Sequence, residues 1–391
     1  MTDFFIDAAY SSVNKYGEEL CGDSVEIIRL KDSVIIVMAD GLGSGVKANI
    51  LSTLTSKIAS VMMKEGISIF DTVDTIVHTL PVCSIRKIAY STFTLLKIYN
   101  DGRVYAAEYD NPPFFLIKDD SPVNVPKKET LINGKKVQES NFYLNDGDML
   151  AVVSDGVIHA GVGAVLNLGW QWDNVLDYFM KLYGKENYAK NISSGIMEVC
   201  QNLYQYKPGD DATAVVVKIT KPGIIDLFTG PPLDPENDSA VVKKLMEGRG
   251  KKIVCGGTAA NIVARELNEE IKVNLDFIDP DVPPTARIKG IDLVTEGVLT
   301  LSKAVEKIKA YADLDLKECP ANYFSKKDGA SLLASMLVHD CTHLNLWVGK
   351  AVNPAHQNPD LPVDLSIKLK LVDELKEIME RLGKKVKLNF I

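Results

Sequence analysis

The chain has 391 residues, 46% of them apolar and 25% charged, with a formal net charge of −8. This is the balance of a globular protein with room for two domains. An acidic chain without a basic face is not expected to bind nucleic acid, and with no run of about 18 apolar residues no membrane span is expected. The opening residues MTDFFIDAAYSSVNKYGEEL lack a basic start and an apolar leader core. The six cysteines are scattered, with no CxxC pair. Reduced thiols in a cytoplasmic protein are therefore expected.

Strands are predicted over 25–30 and 33–38, across a Lys31-Asp32 turn. Helical spacing of apolar residues predicts helices over 48–65 and 68–80. Strands follow over 91–99, 103–109 and 114–118, separated by Asn100-Asp101-Gly102 and Asn111-Pro112-Pro113. A strand over 148–153 stops at Ser154-Asp155-Gly156. Helices over 172–183 and 187–204 and a strand over 212–219 complete this half. The texture changes at Lys221-Pro222-Gly223, and Gly230-Pro231-Pro232-Leu233-Asp234-Pro235 reads as a proline-rich connection. Beyond it come helix 239–248, strand 252–255, helix 258–268, strands 272–277 and 291–295, and helix 300–312. Helix 329–339, strand 342–348, helix 365–382 and strand 385–389 end the chain. Such alternation predicts an α/β layered domain with a mostly parallel sheet. The predicted domains are 1–221 and 222–391.

Two strands end alike: VIIVMADG stops at Asp40 and MLAVVSDG at Asp155, while GDDATAVVV opens a strand behind Asp210-Asp211. A single Asp-Gly after a strand is most often just a turn. A set of such carboxylates, if converging, would repel one another unless a cation sat between them. Oxygen-only ligands suit Mg²⁺ or Mn²⁺, and no Cys or His accompanies these segments to suggest zinc. Two ions roughly 3.5–4 Å apart can activate a water and polarise a phosphoryl group.

These residues stand in an ordered set: Gly22-Asp23, Ala39-Asp40-Gly41-Leu42-Gly43-Ser44-Gly45, Ser91-Thr92-Phe93-Thr94, Asp110-Asn111-Pro112-Pro113, Gly147-Asp148, Ser154-Asp155-Gly156 and Gly209-Asp210-Asp211-Ala212-Thr213. The set resembles the metal-dependent type 2C protein serine/threonine phosphatases, in the bacterial branch typified by stage II sporulation protein E. The resemblance implies an α-β-β-α sandwich with a two-ion Mn²⁺ or Mg²⁺ site at one edge. By position, it implies that Asp40 bridges both ions and that the Gly41 carbonyl reaches the first. Asp155 and Asp210 would hold the second ion. Asp23 would act through water, and Asp211 less directly. Ser44 departs from the histidine common in that turn. The resemblance further implies that the two helices after the glycine-rich turn act as a switch. The implied activity is hydrolysis of phosphoserine or phosphothreonine in a protein substrate; regulation of it through the C-terminal domain is a separate expectation, not one that the resemblance carries. The alternative is a catalytically silent phosphatase fold serving as a binding module, with a nucleotide or other anion on the C-terminal domain.

In the second half, Lys252-Ile253-Val254-Cys255-Gly256-Gly257-Thr258 reads as strand, turn and helix start. Such a turn can hold a small anion on free backbone N–H groups, although it is also common packing. Gly256, Gly257, Thr258, Asn261, Thr295 and Glu296 form a candidate ligand site at the carboxyl ends of strands, with Thr258 as helix cap. His339 and His343 are four apart, but the predicted helix ends between them, so packing or surface histidines are the default.

Overall fold

The computed structural model describes residues 3–79, 91–185, 188–274, 279, 281–313, 324–351 and 364–391. It divides into two compact units, Met1–Lys221 and Pro222–Ile391.

The strands of the first unit are β1 (Phe5–Val13), β2 (Asp23–Arg29), β3 (Ser33–Gly41), β4 (Ser91–Tyr99), β5 (Arg103–Tyr109), β6 (Phe115–Lys118), β7 (Ser121–Pro122), β8 (Lys128–Ile132), β9 (Lys135–Tyr143), β10 (Met149–Val153) and β11 (Ala212–Thr220). Its helices are α1 (Gly45–Lys64), α2 (Ile69–Thr79), α3 (Asp155–Ile158), α4 (Trp172–Tyr183) and α5 (Ala189–Leu203). The strands form two sheets, in the orders β1-β11-β10-β6-β7 and β2-β3-β4-β5-β9-β8. All their pairings are antiparallel.

Strand β3 shows why the unit is layered. Side chains alternate along a strand, and both faces of β3 are buried. Val34, Ile36 and Met38 meet Leu150, Val152, Val215 and Val217 of the opposite sheet. Ile35 and Val37 meet Leu51 and Ala59 of α1 and Val73 and Ile76 of α2. On the far side, Val153, Ala214 and Val216 pack against Val175 and Phe179 of α4 and Ile192 and Ile196 of α5. The result is an α-β-β-α sandwich. Each fully buried Val, Leu or Ile contributes about 1.5–3 kcal/mol.

Helix α1 lies on its sheet through small and hydroxyl residues. Ala48, Ser52, Thr55, Ser56 and Ala59 are buried, whereas Val46, Ile50, Leu54 and Val61 face outward. The buried hydroxyls are satisfied locally, as where Thr55 donates to the Leu51 carbonyl at 2.8 Å.

Several predicted boundaries shift. The strand predicted over 33–38 runs on to Gly41, so Asp40 lies inside it. Strands β1, β8 and β9 had not been expected. The helix predicted over 68–80 is α2, and residue 80 lies outside the described residues.

The second unit has β12 (Ile224–Thr229), β13 (Lys251–Cys255), β14 (Lys272–Val273), β15 (Ala286–Arg287), β16 (Leu293–Thr295), β17 (His343–Val348) and β18 (Lys385–Phe390). Its helices are α6 (Asp238–Glu247), α7 (Gly257–Leu267), α8 (Val298–Asp313), α9 (Gly329–Ser335) and α10 (Asp364–Arg381). The sheet order is β14-β15-β16-β13-β12-β17-β18. From β16 to β18 every pairing is parallel, while β14 and β15 add an antiparallel edge. Helices cover both faces. Val241, Val242 and Val263 of α6 and α7 pack on Phe228 and Val254. Leu301, Leu333 and Leu375 of α8, α9 and α10 pack on Ile225 and Leu227. The parallel strands run third, second, first, fourth, fifth in chain order, the doubly wound arrangement.

The central strand, β12, falls on residues 224–229, to which the sequence reading assigns no element. The strand predicted over 272–277 is the two-residue β14, and residues 275–278 lie outside the described residues.

Candidate active site

The alternation that builds the sandwich also aims the carboxylates. Asp40 continues the series Val34, Ile36, Met38 and so faces the opposite sheet, at its rim. Asp23 is its direct register partner across β2 and β3, with Thr92 opposite on β4. Asp155 opens α3 immediately after β10, and Asp210 and Asp211 stand just before β11, the neighbour of β10. The structure thus brings Asp23, Asp40, Asp155, Asp210 and Asp211 to one sandwich edge.

The two sheet-end motifs are clasped by main-chain contacts. Ser154 N–H donates to the Thr213 carbonyl at 3.0 Å. Thr213 N–H donates to Ser154 Oγ at 2.9 Å. Lys15 N–H donates to Asp211 Oδ1 at 3.0 Å, and Asp211 N–H to Asp210 Oδ1 at 3.0 Å. The signal for Ser154 and Thr213 lay in their motifs, but not their role as a clasp. Nothing in the sequence marked Lys15.

The glycines make these approaches possible. A Cβ on Gly41 would strike the Ala48 backbone of α1, and one on Gly156 the Asp211 carbonyl. A Cβ on Gly22 would press on Asp211 Oδ2. Gly43 (φ +110°) and Gly45 (φ +66°) supply the left-handed turn into α1. Ser44 donates to Glu18 Oε1 at 3.1 Å across that turn. Lys47 is exposed in the first turn of α1.

Burial raises the Asp40 carboxyl well above its ordinary value. The charges of Asp23, Asp155 and Asp210 and hydrogen bonding with Asp155 add to this. Asp23 is raised too, first by burial and then by Asp211 and Asp155, with the nearby Thr213 and Ser154 hydroxyls opposing. Those hydroxyls ease the charge from nearby without meeting hydrogen-bond geometry, since both Asp23 oxygens are buried without a partner. Ser154 Oγ and Thr213 Oγ1 are engaged with Thr213 N–H and Ser12 instead. Asp210 is raised by burial and then by Asp155. Cys21 beside the cluster is pushed up to about 12, first by burial and then by Asp23, which keeps it a neutral thiol.

Among the described residues, no three His, Cys, Asp or Glu side chains already form a closed metal cage. Instead the carboxylates converge within charge–charge range, Asp40 feeling the charges of Asp23, Asp155 and Asp210. A proton is one way to offset such repulsion, and a cation is the other. The donor set suits a hard divalent ion: oxygens only, with Asp23 Oδ1, Asp23 Oδ2 and Asp211 Oδ2 buried and unpartnered.

In the second unit Gly256, Gly257, Thr295 and Glu296 meet at the carboxyl ends of β13 and β16. Gly256 N–H donates to the Thr295 carbonyl at 2.9 Å. The Glu296 carboxylate lies beside Gly257. Thr258 does not cap α7: the N-cap is Gly256 (φ +115°), and no side chain caps it. Asn261 is exposed on α7. The Thr295 hydroxyl is turned onto Cys255 Sγ and the Glu296 carbonyl. His339 sits in a π-helical turn, Met336–Asp340, and His343 in β17, so they share no helical face.

Fold and cluster define a type 2C phosphatase-like domain. The model of the stage II sporulation protein E (SpoIIE) family matches residues 31–220. Stage II sporulation protein E of Bacillus subtilis (strain 168) is 28% identical over 213 residues, 52% of this chain and 24% of that protein. The chain therefore spans about a quarter of the length of the curated relative it matches. Among solved structures, the phosphatase domain of Bacillus subtilis SpoIIE, in a crystal form without domain swapping, aligns with a TM-score of 0.43 at 23% identity, covering 56% of this chain and 95% of that one. RsbX in complex with magnesium aligns with a TM-score of 0.41 at 18% identity, covering 56% and 100%. Among the described residues no helix is long and apolar enough to cross a membrane.

Proposed function

We propose that the first unit hydrolyses phosphoserine or phosphothreonine in a protein, with two Mn²⁺ or Mg²⁺ ions held by Asp40, Asp155 and Asp210. The supporting observation is the convergence of five carboxylates at one rim, three of their oxygens buried without partners. Bound divalent ions would supply a nucleophile at neutral pH and neutralise phosphoryl charge. Asp40 is held rigidly by β3, between Asp23 and Thr92. Asp155 is placed by β10 and fixed by the Ser154–Thr213 clasp. Asp210 is oriented by the Asp211 N–H. Gly41 would offer its carbonyl, and Asp23 and Asp211 would act from behind these groups. Titration calorimetry with MnCl₂ tests this reading. Binding by wild type that is lost in Asp155→Asn supports it, and no binding by wild type overturns it.

The alternative reading is a catalytically silent binding module, which the presence of Asp40, Asp155 and Asp210 disfavours. It requires that phosphate esters survive incubation with the protein and Mn²⁺.

For the second unit we propose a small anionic ligand at Gly256, Gly257, Thr258, Asn261, Thr295 and Glu296, acting as a regulatory input. The supporting observation is the bare Gly256-Gly257 turn at the start of α7, an eleven-residue helix. A thermal-shift screen of the full chain against nucleotides and inorganic phosphate tests it, since a ligand bound only by the folded state raises the melting temperature.

A further inference from the structure

Residues 156–172, GVIHAGVGAVLNLGWQW, carry no Asp, Glu, Lys or Arg, and His159 is the only ionisable side chain among them. They follow Asp155 directly. The segment is not a slack connection. Gln171 N–H donates to the Ile158 carbonyl at 2.9 Å, closing the loop onto α3. Gly169 packs so closely on Ile158 and His159 that a Cβ would collide with their backbone. Gly161, Gly163 and Gly169 all have positive φ. Leu166 N–H returns to the Gly161 carbonyl at 3.0 Å. The base is pinned by tryptophans. Trp172 stacks on Phe115 at 4.6 Å and donates its indole N–H to the Pro113 carbonyl at 2.9 Å. Trp170 is buried against Tyr178.

The tip does the opposite. Val162, Val165 and Leu168 are 47%, 49% and 75% exposed. Three large apolar side chains are held out on a braced, uncharged loop. Helix α3 is four residues long, about 6 Å. The loop therefore springs from roughly one helical turn beyond the Asp155 carboxylate. The loop is the segment of chain that leaves the site directly after Asp155.

We propose that Val162, Val165 and Leu168 form a specificity surface for apolar residues flanking the phosphorylated Ser or Thr of a protein substrate. This rests on the phosphatase reading above. The occupant is set by continuity with Asp155. The surface carries no charge to attract an acidic or basic motif, so apolar side chains are the partners it can take out of water.

The test compares three substrates in the presence of MnCl₂: p-nitrophenyl phosphate, a phosphothreonine peptide flanked by leucines, and the same peptide flanked by serines. Wild type is expected to favour the leucine peptide in kcat/KM by about tenfold, which corresponds to about 1.4 kcal/mol. The exposed-site variants Val165→Ser and Leu168→Ser are expected to lose that preference and to keep wild-type turnover of p-nitrophenyl phosphate. Equal use of both peptides by wild type, or an undiminished preference in both variants, would overturn the proposal alone. No turnover of p-nitrophenyl phosphate by wild type would overturn the hydrolase reading and this proposal with it.

Discussion

Asp23 and Asp40 face each other as direct register partners on β2 and β3. Cross-strand partners share one face of a sheet, and like charges at such positions oppose folding. Both carboxyls are raised, each chiefly by burial. The fold therefore carries at its rim a pair of groups that bind protons or cations more strongly than ordinary carboxylates.

One consequence is a pH slope. A carboxyl raised on folding binds more protons in the folded than in the unfolded state. Its contribution is most favourable below the ordinary value of 3.8 and is lost as pH rises toward the raised value. Above about pH 5, where ordinary carboxylates are already ionised, chelator-treated protein should therefore lose melting temperature as pH rises toward 8. MnCl₂ should raise the melting temperature more at pH 8 than at pH 5, because protons compete for the same oxygens. Calorimetric scans at the two pH values check both statements.

Asp23→Asn removes one of the facing charges and keeps the side chain's shape. Chelator-treated Asp23→Asn is expected to melt higher than wild type at pH 8. Its Mn²⁺ affinity should fall by about 10–100-fold, the usual effect of losing an outer-shell partner. Thermal scans and calorimetry on one preparation measure the two opposite effects.

Gly156→Ala tests the close approach of the two sheet-end motifs. The added methyl meets the Asp211 carbonyl. Overpacking of this kind costs about 1–3 kcal/mol. The variant should also bind Mn²⁺ more weakly, since Asp210 and Asp211 must move. Urea denaturation gives the first quantity and calorimetry the second.

In the second unit, Asp226 and Lys252 form a buried ion pair at 2.7 Å between neighbouring central strands, and Asn345 donates to the other Asp226 oxygen at 2.9 Å. Lys252→Met leaves a buried carboxylate without its counter-charge and is expected to cost about 3–5 kcal/mol. The double variant Asp226→Leu with Lys252→Met should recover most of that loss. Urea midpoints of the full-length variants decide it.

The same residues show what the sequence could reveal. Asp40 and Asp155 were readable because each interrupts a dense apolar run at a glycine. The facing of Asp23 and Asp40 was not, because register depends on how β2 and β3 pair. Strand β1 was missed because FIDAAYSSV mixes apolar and polar residues on its two faces. Strand β12 was missed for a longer-range reason. IIDLFT is short, flanked by Pro222-Gly223 and Gly230-Pro231, and broken by Asp226. The buried partner that lets Asp226 sit in a central strand lies 26 residues away. Thr258 looked like a cap because hydroxyl residues usually are, but the positive φ of Gly256 puts that glycine at the cap position.

The most direct measurement is turnover of a phosphothreonine peptide by the full chain, with and without MnCl₂, for wild type and Asp155→Asn. The account predicts release of phosphate by wild type only with Mn²⁺, and a loss of at least about a hundredfold in kcat for Asp155→Asn, the scale of removing one preorganised charge-stabilising group. Phosphate release that is indifferent to Mn²⁺, or that survives in Asp155→Asn at the wild-type rate, would contradict it.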